Sequence, residues 1–134
     1  MTLTESCIAV AVVSTLMAVA APSLIRAKET YTLGSAAHDV AAKMHATRIT
    51  AIVRNQDCRI TVTSATSYVT ECQAISWQVL ERITLPGNIT VTANARPEFH
   101  RRGNVSPTGT FTLSNASGRT AKVVVNVNGR VRIQ

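Results

Sequence analysis

Glu5 is the first residue whose chemistry needs an explanation. Its carboxylate stands one position before an uncharged run of twenty residues, Ser6 to Ile25. An acid at the mouth of such a run costs free energy unless it meets a cation, which makes it a candidate for pairing with something outside the run. The cysteines come second. Cys58 and Cys72 flank Arg59–Thr63 and Ser67–Glu71, two stretches that read as the arms of a hairpin folded about Ala65. Folding there sets Cys58 opposite Cys72, Ile60 opposite Thr70 and Arg59 opposite Glu71, so geometry and charge agree on one register. Paired Cβ atoms ~4.5 to 5.5 Å apart are near bonding range, which predicts a Cys58–Cys72 disulfide worth about 3 kcal/mol and an oxidising compartment. The third cysteine, Cys7, lies inside the apolar run.

The remaining reactive residues are histidines and arginines. His38 and His45 lie seven apart on one helix face, a metal pair or two solvated side chains beside Asp39; His100 reads as a surface residue in a basic loop, and neither a metal site nor a cofactor is expected. There is no phosphate loop, nucleophile elbow or HExxH helix, so an enzyme is not expected. The formal net charge of +7 is uneven: from Arg96 onward, Arg96, Arg101, Arg102, Arg119, Lys122, Arg130 and Arg132 face Glu98 alone.

These groups need elements to hold them. A helix over the apolar run would be about 30 Å long, enough to cross the hydrocarbon of a bilayer. The acid before it does not fit a secretory signal, which begins with positive charge. From Ala27 to Asn55 the chain has no Pro and one Gly, and Leu33, Ala37, Val40, Met44, Ala51 and Ile52 recur at near-helical spacing. The same helix therefore continues, amphipathic now, and should stop near Asn55 to Asp57. Pro22 lacks an amide hydrogen and crowds Ala18, which predicts a kink or unwound turn between about Ser14 and Ser23. Beyond the hairpin, strands are expected at Trp77–Leu80, Ile83–Leu85, Ile89–Thr92, Thr110–Leu113 and Lys122–Val127, with Asn128-Gly129 as a type I′ turn before Arg130–Ile133. No internal repeat is expected. The expected fold class is α+β: a long N-terminal helix, apolar in its first half, packed on an antiparallel β-sheet. Residues 1–28 form the hydrophobic helix and residues 29–134 a single globular domain.

Met1-Thr2-Leu3-Thr4-Glu5, the apolar run and Ala21-Pro22-Ser23 resemble the mature N-terminus of a type IV pilin or type II secretion pseudopilin, in which glutamate is the fifth residue and proline the twenty-second. The resemblance implies that a prepilin peptidase has removed a basic leader before Met1 and that Met1 is N-methylated. It further implies that Glu5 accepts the amine of a neighbouring subunit as the helices leave the inner membrane and form a filament core. Met1, Glu5 and Pro22 are then the assembly residues. The partners are further copies of the chain and other pilins. The location is the bacterial inner membrane before assembly and an extracellular pilus or periplasmic pseudopilus after it.

The rest of the chain resembles the pseudopilin H and FimT branch. The residues concerned are Thr47-Arg48-Ile49-Thr50-Ala51-Ile52-Val53-Arg54-Asn55, Phe99, Gly103, Gly109, Leu113 and Asn128-Gly129-Arg130-Val131-Arg132. FimT relatives take part in DNA uptake through C-terminal arginines. This implies a second role in which Arg119, Lys122, Arg130 and Arg132 line one edge, with Arg101 and Arg102 on a nearby loop, and hold DNA through salt-sensitive phosphate contacts. The alternative is that this charge serves solubility or acidic neighbours in a filament.

Overall fold

The computed structural model describes residues 2–134; Met1, with its expected processing and methylation, lies outside the described residues. One helix, α1, covers Leu3–Arg54, and the chain divides into two compact units, the first ending at Tyr31 and the second covering Thr32–Gln134.

In the first unit every residue from Thr2 to Lys28 is exposed. The helix starts on Thr2, whose carbonyl accepts the backbone N–H groups of Glu5 and Ser6 at 3.1 and 3.2 Å. Helical geometry continues through Pro22, so the expected unwound turn is absent. Proline deletes one backbone donor and leaves the Ala18 carbonyl without it, while the Ala-rich residues on either side favour helix. Two of the polar residues in this segment bond back to their own helix. Ser14 Oγ donates to the Val10 carbonyl at 2.7 Å and Thr15 Oγ1 to that of Val12 at 2.8 Å. Hydroxyls bonded back to their own helix can enter an apolar environment without leaving a donor unsatisfied.

In the second unit the helix has the expected buried stripe: Leu33, Ala36, Ala37, Val40, Met44, Thr47 and Ala51. Ile52 departs from it, being 46% exposed. Asn55, at φ 51°, takes the left-handed conformation that ends the helix, as the turn-forming residues there predict.

Eight strands follow: β1 (Cys58–Ser64), β2 (Ser67–Gln73), β3 (Trp77–Thr84), β4 (Thr90–Ala93), β5 (Glu98–Phe99), β6 (Gly109–Ser114), β7 (Thr120–Val125) and β8 (Val131–Ile133). They form two antiparallel sheets, ordered β3-β2-β1-β5 and β4-β6-β7-β8. The sheets meet at the β1–β2 turn, where the Ala65 carbonyl accepts the N–H of Val91 in β4 at 2.7 Å. One apolar cluster fills the unit, with Met44 of α1, Ile60, Tyr68, Phe99, Phe111 and Leu113 all fully buried.

The hairpin register is the expected one from Cys58↔Cys72 to Val62↔Tyr68, and the disulfide is present. Arg59 Nε lies 2.6 Å from Glu71 Oε2, and its guanidinium stacks on Trp77 at 4.0 Å. Near the tip a bulge shifts the register to Ser64↔Ser67, so the turn is two residues long, not three. Where two short strands were expected around Glu81, β3 is continuous.

The Asn128-Gly129 turn is also different. Gly129 has φ 73°, but Asn128 is not in the left-handed region that a type I′ turn requires at both positions. Instead Gly129 N–H donates to the Asn126 carbonyl and Arg130 N–H to Asn126 Oδ1, at 2.9 and 3.1 Å, giving a three-residue loop closed by a glycine bulge. The same loop occurs at 115–119, with Gly118 at φ 81° and Arg119 N–H donating to Asn115 Oδ1 at 2.9 Å. Asn-x-x-Gly-Arg is thus a short internal repeat, read in the sequence as none.

Tyr68 has a strongly displaced ionisation. Its hydroxyl is buried with no hydrogen-bond partner among the described residues. Burial, then the charges of Asp39 and Glu81, push its pKa up to about 12. The unfolded chain releases this proton near pH 10 and the folded chain holds it, so stability present below pH 10 is lost as pH rises toward 12. The expected loss is about 2 kcal/mol relative to Tyr68→Phe, which should melt at or above the wild-type temperature at pH 7 because it removes an unsatisfied hydroxyl. Parallel melting curves between pH 9 and 12 for the two proteins would count against this.

Candidate functional site: an apolar helix and a basic domain end

Two arrangements hold the sequence's candidate residues, one in each unit. In the first, Glu5 lies in the opening turn of α1 and is exposed; among the described residues no ion pair forms to it. Around it Leu3, Ile8, Val10, Val12, Leu16, Met17, Val19 and Leu24 are each at least half exposed. No other acid occurs before Glu29. A carboxylate in the first turn suits the positive end of a helix, and an apolar surface of this extent needs lipid or protein to cover it. This is the one helix among the described residues long and apolar enough to cross a membrane.

In the second unit Arg119, Lys122, Arg130 and Arg132, expected along one edge, are spread over both ends of β7 and β8, with Arg101 and Arg102 on a separate loop. Three come close through Arg48, whose Nε donates to the Gly103 carbonyl at 2.9 Å. A Cβ on Gly129 would stand 2.6 Å from that carbonyl oxygen and 2.7 Å from Arg48 Nε, so the Arg101-Arg102-Gly103 loop and the Gly129-Arg130 turn are clamped together. Arg101, Arg102 and Arg130 are exposed at this end. Lys122 and Arg132 are diagonal neighbours on the outer face of the second sheet, across the Val124↔Arg132 pair and opposite buried Val123 and Val125. Arg119 sits at the far end of β7, about 20 Å from Arg130 at ~3.3 Å per residue. Chain order decides this, because β7 runs between the two Asn-x-x-Gly-Arg loops and puts their arginines at opposite ends.

Arg48 is a positioning residue that charge counting along the C-terminal third does not reveal. Its place in the resemblance motif beside buried Thr47 is the only signal of it. A second grouping also went unread: Asp57, Glu98 and His100 converge at the disulfide end of the first sheet. Its signal was too weak to find, since β5 is two residues long.

A long N-terminal helix, apolar and exposed in its first unit and packed on antiparallel strands in its second, defines a pilin-like filament subunit. Solved structures agree on the fold. The minor pseudopilin EpsH of the Vibrio cholerae type 2 secretion system is similar at TM-score 0.67 and 13% identity, over 76% of this chain and 95% of that one. The Pseudomonas aeruginosa type IV minor pilin FimU gives 0.66 at 16% identity, over 79% and 90%. E. coli GspH gives 0.62 at 13% identity, over 82% and 88%. No curated protein sequence matches. The family model described as type II transport protein GspH matches residues 36–129, well over half of the chain, so the chain belongs to that family. It is a structural subunit of the pilin and pseudopilin kind, which assembles with other pilins, and its apolar helix anchors it in a membrane before assembly. Family and fold are those of structural subunits, not enzymes.

Proposed function

We propose that the chain enters the bacterial inner membrane through its apolar helix, is trimmed by a prepilin peptidase and N-methylated at Met1, and is then drawn into a pilus or a periplasmic pseudopilus. There Glu5 of one subunit takes the positive amine of its neighbour. The observation that carries this reading is the lone exposed carboxylate on a helix otherwise uncharged through Ile25. In lipid such an acid is costly; among packed helices, paired with an amine ~4 Å away, it is stabilised far more than in water. Ala9, Ala11, Ala18, Ala20 and Ala21 leave room for close helix contact. The family description favours a secretion pseudopilus, while pilin and pseudopilin structures resemble the fold equally well. Mass spectrometry of membrane and sheared-filament fractions is expected to find a chain beginning at a methylated Met1 in both. A chain with its leader intact, absent from every filament fraction, would refute the reading.

A DNA-binding role has a narrower footing than the sequence implied. Its support is the clamped end with Arg101, Arg102 and Arg130, too few charges for tight binding but enough for a sequence-independent phosphate contact. In a gel shift, the triple Arg→Gln variant at these positions should lose retardation, whereas Arg119→Gln should not. Wild type that fails to shift DNA even at low salt removes the role.

A further inference from the structure

Asp57, Glu98 and His100 each offer one ligand atom, and the three atoms lie within 4.8 Å of one another. His100 Nδ1 is 3.5 Å from Asp57 Oδ2 and 3.9 Å from Glu98 Oε1. Both distances exceed those of N–H···O hydrogen bonds, so the groups converge on a shared space without bonding one another. An ion bound tetrahedrally with bonds of about 2.1 Å holds its donors about 3.4 Å apart, close to this spacing. We propose that these three residues form a site for a divalent transition-metal ion of the zinc type.

The scaffold explains why they meet. β1 and β5 pair antiparallel with Cys58↔Phe99 and Arg59↔Glu98, so Asp57 and His100 are the next positions along the same ladder. Residues 57 and 59 on one strand, and 98 and 100 on the other, face away from buried Cys58 and Phe99. Of the cations nearby, Arg59 is turned to Glu71 and Trp77 and leaves the Glu98 carboxylate free of it. Arg101 donates its backbone N–H to Asp57 Oδ1 at 3.2 Å, with Nε 3.9 Å from the same oxygen, which leaves Oδ2 for the shared space. The backbone is fixed: the Asp57 carbonyl accepts the Gln73 N–H at 2.8 Å, the His100 N–H donates to the Asn104 carbonyl at 2.9 Å, and the His100 carbonyl accepts the Gly103 N–H at 2.7 Å. The disulfide at Cys58 holds the adjoining residue. All three side chains are between one-fifth and one-third exposed, open enough for an ion to enter with water as a fourth ligand.

A nitrogen with two carboxylates suits zinc better than calcium or magnesium, which prefer oxygen alone. Bound zinc would join the segment after α1, β5 and the loop carrying Arg101 and Arg102.

The test titrates the full chain in detergent micelles with ZnCl2, by calorimetry and by melting. One ion per chain is expected, with Tm rising about 10 °C at a hundredfold excess over Kd. His100→Gln and Asp57→Asn should each weaken binding at least tenfold, while His38→Gln/His45→Gln keeps it. Co2+ on the wild-type chain should show visible bands of nitrogen–oxygen tetrahedral ligation, a readout that needs no variant to fold. Absence of a Tm shift on the wild type, a shift lost only in the His38/His45 variant, or calcium binding as tightly as zinc would each overturn the proposal.

Discussion

Glu5→Ala is expected to leave the domain from Thr32 onward folded while removing the chain from filaments. Glu5 is exposed in the first turn of its helix, so within the subunit its loss forfeits only a few tenths of a kcal/mol of interaction with the helix dipole. In the packed bundle the balance is different. Truncating one partner of a buried ion pair strands the other charge, at a cost of about 3–5 kcal/mol, which is a hundredfold or more in docking. The stranded group would be the neighbour's amine. Glu5→Gln keeps the volume and should fail nearly as badly, because the requirement is charge and not packing. Quantitative blotting of sheared filaments against total membrane protein, beside circular dichroism of the same variants, separates assembly from folding. Wild-type incorporation of Glu5→Ala would remove the pairing from the mechanism.

Gly129→Ala should be the most damaging single methyl group in the domain. Its backbone is in the left-handed region at φ 73°, which costs an L-residue about 1–2 kcal/mol. The added Cβ would also meet the Gly103 carbonyl oxygen at 2.6 Å and Arg48 Nε at 2.7 Å, neither of which can yield without breaking the 2.9 Å bond between them. Overpacking of this kind adds about 1–3 kcal/mol, so a total near 3 kcal/mol and a Tm drop above about 10 °C are expected. Gly118→Ala is the control. It occupies the same position in the repeated loop at φ 81°, yet nothing lies within 4 Å of its Cβ, so it should lose only the backbone part. Equal melting temperatures for the two variants would show that the Arg48 clamp contributes nothing.

The residues that resemble the pseudopilin H branch take on a physical meaning here. Gly103 and Gly129 make room for Arg48, Phe99 and Leu113 fill the core, and a Cβ on Gly109 would press on Pro97 at 3.1 Å. Packing roles of this sort are hard to infer from residue type alone, because a glycine that avoids a clash looks the same in a sequence as a glycine in an open turn.

Local patterns were enough for the helix, its buried stripe and its stop at Asn55, and for the Cys58–Cys72 register, because each depends on neighbours within one or two turns or across one hairpin. The same locality misled at Asn128-Gly129, where the Asn126 side chain, two residues before the strong dipeptide, sets a longer loop. It also misled at Ile52, whose spacing fits the stripe but whose side chain is half exposed. What the strands do at long range was beyond any local pattern. Only the tertiary structure divides them into two sheets and lays the two-residue β5 on β1 so that Asp57 meets His100. Sequence determines which segments fold and which face of each is apolar. Which charges become neighbours is set by strand order, and strand order comes from how the faces pack together.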